Sequence, residues 1–309
     1  MLDKVGVLLA LAFVASAEDL SSISEIIDQA VFVSPSSFAV LGPNATFRTN
    51  AFNTSTFFNP TSTSPPFFQI FDPAFLSILG PNASVHEVSR NDTFAFAHEA
   101  PVYNPATDEI FFCSNGGGTL GLSDIDHNNV VNKISLKEVE KALAENNGNG
   151  SVVHVPYTTL DLPDSLQMTN GGTGPYNSSL IFTTQGRGSL PPSLVLVNPA
   201  EPYNATVLLD NFFGRQFNSL NDVKVHPTSG KLYFTDVRYG WLNPNTFRGE
   251  PLLPSHVYML DPETRAVRVV ADGFDKPNGI AFSPDGKTAY ITDTGALGAQ
   301  FGNNQTEPA

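Results

Sequence analysis

The chain has 309 residues, of which 41% are hydrophobic and 15% charged, with a formal net charge of −14. That composition suits one large all-β domain or two ordinary ones and is too apolar for a disordered chain. An acidic chain without basic clusters repels phosphate backbones, which argues against nucleic acid as a partner and is compatible with a bound cation.

At the N-terminus Lys4 precedes an apolar run over residues 5–14, and Ala15-Ser16-Ala17 follows as a small-residue cleavage site before Glu18. This is the pattern of a signal peptide over residues 1–17. The run is too short to span a bilayer and no other segment approaches that length, so the mature chain is expected to be secreted and extracellular, with no membrane partner. Residues 18–88 are rich in Phe, Pro, Ser, Thr and Asn, with short apolar runs at 30–33 and 67–71 between proline breaks. They read as an irregular N-terminal segment with a few short strands, packed on the main domain. Glycosylation sequons stand at Asn44, Asn53, Asn82, Asn91, Asn149, Asn177, Asn204 and Asn304, and in an exported chain some are expected to carry glycans. The single cysteine, Cys113, ends the run Ile110-Phe111-Phe112-Cys113 and reads as a small buried hydrophobe.

From about residue 89 the pattern becomes short strands separated by turn signals. One helix interrupts over 135–143, where Leu136, Val139 and Leu143 share a face, Ser135 caps and Glu138 completes a capping box. It reads as an insertion between strands. An internal repeat then organises the rest: HEAPVYNPATDEIFFCSN at 98–115, LNDVKVHPTSGKLYFTD at 220–236 and PNGIAFSPDGKTAYITD at 277–293. Each copy runs from a polar residue (Glu99, Asn221, Asn278) through an alternating strand to a proline, turns, and enters a second strand. A looser copy starts at Asn170, in what reads as a Thr169-Asn170-Gly171-Gly172 turn, and runs to Thr184. A strand–turn–strand unit recurring in this way predicts propeller blades opening near residues 99, 170, 221 and 278.

In a propeller the first strand of every blade lines the central channel, so Glu99, Asn221 and Asn278 converge on the axis. A carboxylate and two amides brought together need partners. A hard cation such as calcium supplies them through oxygen ligands; nothing nearby offers soft sulfur and His98 is the only close imidazole, so zinc and copper are less favoured. The alternative is that these residues only start strands and bond to backbone.

The runs HEAPVYNP, SLNDVKVHPTSGKLYFTD and KPNGIAFSPDGKTAYITD resemble the gluconolactonase-like (senescence marker protein/luciferin-regenerating) family, particularly its fungal secreted lactonohydrolases, from about residue 68 onward. The resemblance implies an all-β, six-bladed propeller, here truncated after about four blades so that residues 89–309 form an incomplete one. It implies calcium, or another divalent cation, held by Glu99 and Asn278, with Asn221 binding metal, metal-bound water or substrate. It also implies a further ligand, an Asp, one repeat beyond Asn278, where the sequence has already ended. The expected reaction is hydrolysis of a sugar lactone such as glucono-1,5-lactone, with Asp222 as candidate general base or as a carboxylate that orients Asn221, and Asn170 as a candidate for binding sugar hydroxyls. A calcium-dependent phosphotriesterase or arylesterase, or a non-catalytic binding propeller, remain the competing readings. His98 and His226 read as structural histidines, residues 124–128 and Gly116-Gly117-Gly118 as plain loop and turn, and Gln185-Gly186-Arg187 as neighbours of the channel. No nucleophile elbow, phosphate-cradling loop or zinc-protease motif occurs.

Overall fold

The computed structural model describes residues 30–32, 68–70, 72–146, 152–242 and 246–295. The expected signal peptide lies outside them, as do the sequons at Asn44, Asn53, Asn149 and Asn304. Contacts divide the chain into two units, one ending at Glu87 and including Val152, the other starting at Val88. In the first, β1 (Ala30–Phe32) pairs in parallel with β2 (Phe68–Ile70), and a short helix, α1, covers Phe75–Leu79.

The second unit is built from successive antiparallel sheets. The first contains β3 (Glu99–Asn104), β4 (Glu109–Cys113), β5 (Val131–Ser135) and β6 (Thr158–Thr159), with α2 (Leu136–Glu145) between the last two strands. The second contains β7 (Thr169–Tyr176), β8 (Ser179–Thr184), β9 (Leu194–Val197) and β10 (Ala205–Leu209). A small hairpin of β11 (Asn211–Phe212) and β12 (Arg215–Gln216) leads into the third sheet. That sheet holds β13 (Leu220–Val225), β14 (Leu232–Asp236), β15 (His256–Leu260) and β16 (Val267–Ala271), with a short helix, α3 (Tyr239–Leu242), after β14. A two-stranded sheet of β17 (Pro277–Phe282) and β18 (Ala289–Asp293) completes the described residues. Each sheet pairs its strands in chain order, which is the form of a propeller blade.

The opening strands stand side by side: β3 neighbours β7, β7 neighbours β13, and β13 neighbours β17. Period-two alternation explains how the sheets stack. In β8, Leu180 and Phe182 enter a core shared with Ala100, Val102 and Phe111 of the first sheet. Ile181, from the same strand, enters a different core with Phe217, Leu220, Val223, Phe234 and Tyr258 of the third. The Phe234 and Tyr258 rings stack at 5.5 Å, and Phe217 meets Tyr258 edge-on at 5.2 Å. Such interdigitation is worth about 1.5–3 kcal/mol per large apolar side chain.

The helix forms where the periodicity places it. Ser135 Oγ accepts the Glu138 N–H, and Val139 is buried with Phe112, Ile134, Val153 and Val155. The reading of 169–172 as a turn is corrected: Thr169–Tyr176 is a strand. The glycine serves close approach rather than turning, because a Cβ on Gly171 would lie 2.3 Å from the Asn221 carbonyl oxygen. Residues 124–128 are a loop, as expected, in which the Asp124 carboxylate accepts the Asp126 and His127 N–H groups.

Candidate metal centre and channel face

Every candidate ligand lies at the start of an opening strand. Glu99 begins β3, Asn170 is second in β7, Asn221 second in β13 and Asn278 second in β17. Residues of the second strands tie these starts together across sheets. Cys113 Sγ donates to the Thr169 and Asn170 carbonyls at 3.1 and 3.4 Å. Thr183 Oγ1 donates to the Asn221 carbonyl and Thr235 Oγ1 to the Asn278 carbonyl, both at 2.7 Å. The positions thus recur from sheet to sheet, and the side chains at the strand starts repeat with them. Cys113 is buried as expected, and burial with the nearby Glu99 charge holds its thiol far above the usual range, so it is no nucleophile.

The electrostatics centre on Glu99. Burial raises its carboxyl above the usual range and the Asp222 charge raises it further, while Lys224 and the Ala100 N–H pull the other way. Asp222 is held on both oxygens: Oδ1 accepts the Val223 N–H at 2.8 Å and Lys224 Nζ at 3.2 Å, and Oδ2 accepts the Ile280 N–H at 3.0 Å. Lys224 also donates to the Gly172 carbonyl at 3.0 Å. Asp222 therefore joins β13 to β17, and Lys224 joins β13 to β7. Asn170 and Asn221 are buried, and their side-chain amides make no hydrogen bond among the described residues. Asn278 donates from Nδ2 to Tyr239 Oη at 3.2 Å, and Tyr239 Oη bonds in turn to Thr294 Oγ1.

This donor set fits a hard cation. It offers a carboxylate whose charge is disfavoured by its surroundings, and, on neighbouring opening strands, amides of Asn170 and Asn221 that make no hydrogen bond among the described residues. Among the described residues no three His, Cys, Asp or Glu side chains group as metal ligands, so a cation here would depend on the amides.

Residues 99–297, well over half of the chain, match the family model described as the SMP-30/Gluconolactonase/LRE-like region. The chain belongs to this family. The family's fold is a six-bladed propeller, and its members include lactone hydrolases. A lactonohydrolase, oryL, of Aspergillus oryzae is 32% identical over 221 residues, covering 71% of this chain and 45% of that protein. A second, oryH, of the same organism is 29% identical, covering 64% of this chain and 49% of that protein. The X-ray structure of a structural-genomics target assigned to the gluconolactonases superposes with a TM-score of 0.52 at 26% identity, covering 72% of this chain and 64% of that one. The chain spans about half the length of the curated family members it matches.

The other sequence candidates separate by environment. His226 is structural: its Nδ1 accepts the Ser229 N–H at 3.2 Å, which leaves Nε2 to donate to the Gly286 carbonyl at 2.9 Å. His98 is exposed, with its backbone N–H on the Cys113 carbonyl. Gln185 is buried and its amide oxygen makes no hydrogen bond among the described residues, while Arg187 Nε donates to Gln167 Oε1 at 2.7 Å. Lys224 and Tyr239 were not singled out in the sequence. For Lys224 a signal existed, since it lies two residues after Asp222 on one strand and so shares its face. Tyr239 reaches Asn278 from a helix in another sheet, a contact that no local pattern encodes.

Proposed function

We propose that this chain holds a calcium ion at Glu99, Asn221 and Asn278 and hydrolyses a sugar lactone such as glucono-1,5-lactone outside the cell. The observation that carries the reading is that Glu99 and the buried residues Asn170 and Asn221 stand at the starts of opening strands, with amides that make no hydrogen bond among the described residues. The names of the two Aspergillus lactonohydrolases support the reaction class. Calcium bound there supplies the positive charge that polarises a lactone carbonyl and favours the oxyanion.

The chain's own residues divide the remaining work. Glu99 brings the negative charge that retains the cation. Asn221 and Asn278 offer neutral amide oxygens, and the Tyr239 hydroxyl fixes the Asn278 amide so that its oxygen is the free end. Asn170 presents an amide to substrate hydroxyls. Asp222 is the candidate base, but both its oxygens already accept hydrogen bonds, so positioning is the role that fits it: it sets the field at Glu99 and anchors Lys224. Secretion follows from the apolar run and small-residue site at the N-terminus.

A substrate panel tests the reaction class. The secreted chain is assayed on glucono-1,5-lactone, a phosphotriester and an aryl ester, each with calcium and with a chelator. The expected outcome is chelator-sensitive turnover with the highest kcat/KM on the lactone. A preference for the phosphotriester or aryl ester would move the reading to another hydrolase on the same scaffold, and folded protein inert on all three would overturn it.

A further inference from the structure

Four glycosylation sequons lie among the described residues, at Asn82, Asn91, Asn177 and Asn204, and the fold treats them differently. Asn91 is pinned at both ends of its amide. Its Nδ2 donates to Tyr157 Oη at 2.8 Å, and its Oδ1 accepts the Thr93 N–H at 2.8 Å and the Thr93 hydroxyl at 2.6 Å. The residue is half-buried. Tyr157 stacks on Phe96 with ring centroids 4.7 Å apart and meets Phe112 edge-on at 6.3 Å, and Phe112 belongs to the core that holds Ile134 and Val139. The nitrogen that would carry a sugar at this sequon is thus the one that holds the Tyr157 hydroxyl. A bulky, water-seeking glycan there has to displace a ring packed on that core.

The other three face water. Asn177 and Ser178, at φ of 47° and 67°, form the two-residue turn between β7 and β8, closed by the pairing of Tyr176 with Ser179. Both central residues of such a hairpin turn take positive φ, which asparagine tolerates, so the turn alone explains an asparagine here. The turn makes no use of the side chain: Asn177 is exposed, and its amide makes no hydrogen bond among the described residues. Asn204 follows Tyr203, which is buried in the core with Phe111, Val195 and Val197 and anchors the loop before β10. Asn204 itself is exposed; its backbone carbonyl accepts the Asn198 N–H at 2.9 Å, and its amide is unbonded among the described residues. Asn82, in a turn of the first unit after α1, is exposed and unbonded in the same way.

We propose that Asn82, Asn177 and Asn204 carry N-linked oligosaccharides and that Asn91 does not. Each accepting Nδ2 displaces the diphosphate of a lipid-linked oligosaccharide at the anomeric carbon. The C–N bond forms as the C–O bond to the diphosphate breaks, the lipid diphosphate departs, and one amide proton is released. Transfer takes place before folding is complete, so the fold acts by selection: a chain with sugar on Asn91 loses the Tyr157 contact and folds and leaves the cell less well. Strand pairing fixes where two of the glycans stand. Leu180 pairs with Val197 and Val197 with Ala205, so the turn at 177–178 and the loop at 198–204 emerge at one end of the second sheet. Asn170 stands at the other end of β7, where Thr169 pairs with Thr184, and the strand rises about 20 Å between Asn170 and Tyr176. The carbohydrate on this sheet therefore stands at the end away from the candidate metal centre. The assignment requires export, which the N-terminal pattern supports, and is independent of the lactonase reading.

The test reads each site in the unmutated protein. The full chain is expressed in a eukaryotic secretory host, once with its own residues 1–17 and once with a leader taken from a protein that the host secretes. Protein from the medium is treated with peptide N-glycosidase F in water enriched in oxygen-18, which turns each formerly glycosylated Asn into a labelled Asp, and peptide mass spectrometry measures the label. Label at Asn82, Asn177 and Asn204 in most molecules, with little at Asn91, is expected. Asn177→Gln and Asn204→Gln are each expected to remove one glycan's step in gel mobility. An unlabelled Asn82, Asn177 or Asn204 in the secreted chain overturns the assignment of that site, and label at Asn91 equal to that at the other three overturns the selection by the fold. The expected labelling behind the host leader alone supports the sites and rejects export by residues 1–17. Absence of label behind both leaders overturns the sites themselves, so the two failures are distinguishable.

Discussion

Asp236 carries the clearest consequence at the scale of single residues. Burial pushes its carboxyl up to about 7, against the downward pull of the Asn218 and Ser219 N–H groups and the Arg248 charge. An unfolded Asp titrates near 3.9. The folded state therefore holds the proton more tightly, and this group's contribution to stability is complete below about pH 4 and lost as pH rises through about 7. Thermal melts of the wild type and Asp236→Asn across that window check this: the wild type should lose Tm as pH rises, and the variant should lack that component. An unchanged slope in the variant would contradict it. Asp236 was visible in the sequence as the closing residue of a repeat, and so was Asp293, but their shared task was not. Each carboxylate grips the backbone N–H groups just before the opening strand of its own sheet, Asn218 and Ser219 in one case and Asp275 and Lys276 in the other.

The element scale was the most legible in sequence. The strand starts near 99, 170, 221 and 278 and the capped helix at 135 follow from period-two alternation, turn residues and a capping pattern, all of which are local. What spacing hid was the contact between sheets. Gly171 looks like turn chemistry until the neighbouring strand is in place, and only then is the close approach to Asn221 its reason. The same holds for the threonines of the second strands. Thr235 accepts the Asp222 N–H and donates to the Asn278 carbonyl of the next sheet. Thr292 is its counterpart in the fourth sheet, accepting the Gly279 N–H at 2.8 Å and donating only within that sheet, to the Gly279 carbonyl. Thr235→Val, at a fully buried position, removes the partner of the part-buried Asn278 carbonyl and of the Asp222 N–H and should cost about 1–3 kcal/mol, whereas Thr292→Val, at an exposed position, should cost clearly less. Denaturant midpoints of the two variants compare them, and equal losses would contradict the role given to Thr235.

At the scale of the whole molecule, the proposed ligands come from three different sheets, so a cation at the channel joins parts of the chain that are far apart in sequence. Binding only to the folded state raises stability by linkage, about 2.7 kcal/mol at a hundredfold excess over Kd. Calcium should therefore raise the Tm of the whole second unit and a chelator should lower it, with no such shift in Glu99→Gln. The family could be read from the repeat and its flanking motifs. The channel site was legible as residue types at equivalent positions, while Lys224 and Tyr239 emerged only from the packing of one sheet on the next.

The central claim is that Glu99 retains a calcium ion on which lactone hydrolysis depends. The most direct measurement is hydrolysis of glucono-1,5-lactone by the secreted wild type and Glu99→Gln, corrected for spontaneous hydrolysis, with bound calcium measured in the same samples. Chelator-sensitive turnover in the wild type, with both calcium and turnover lost in the variant, is the predicted result. Turnover and calcium content equal in the two proteins would contradict it.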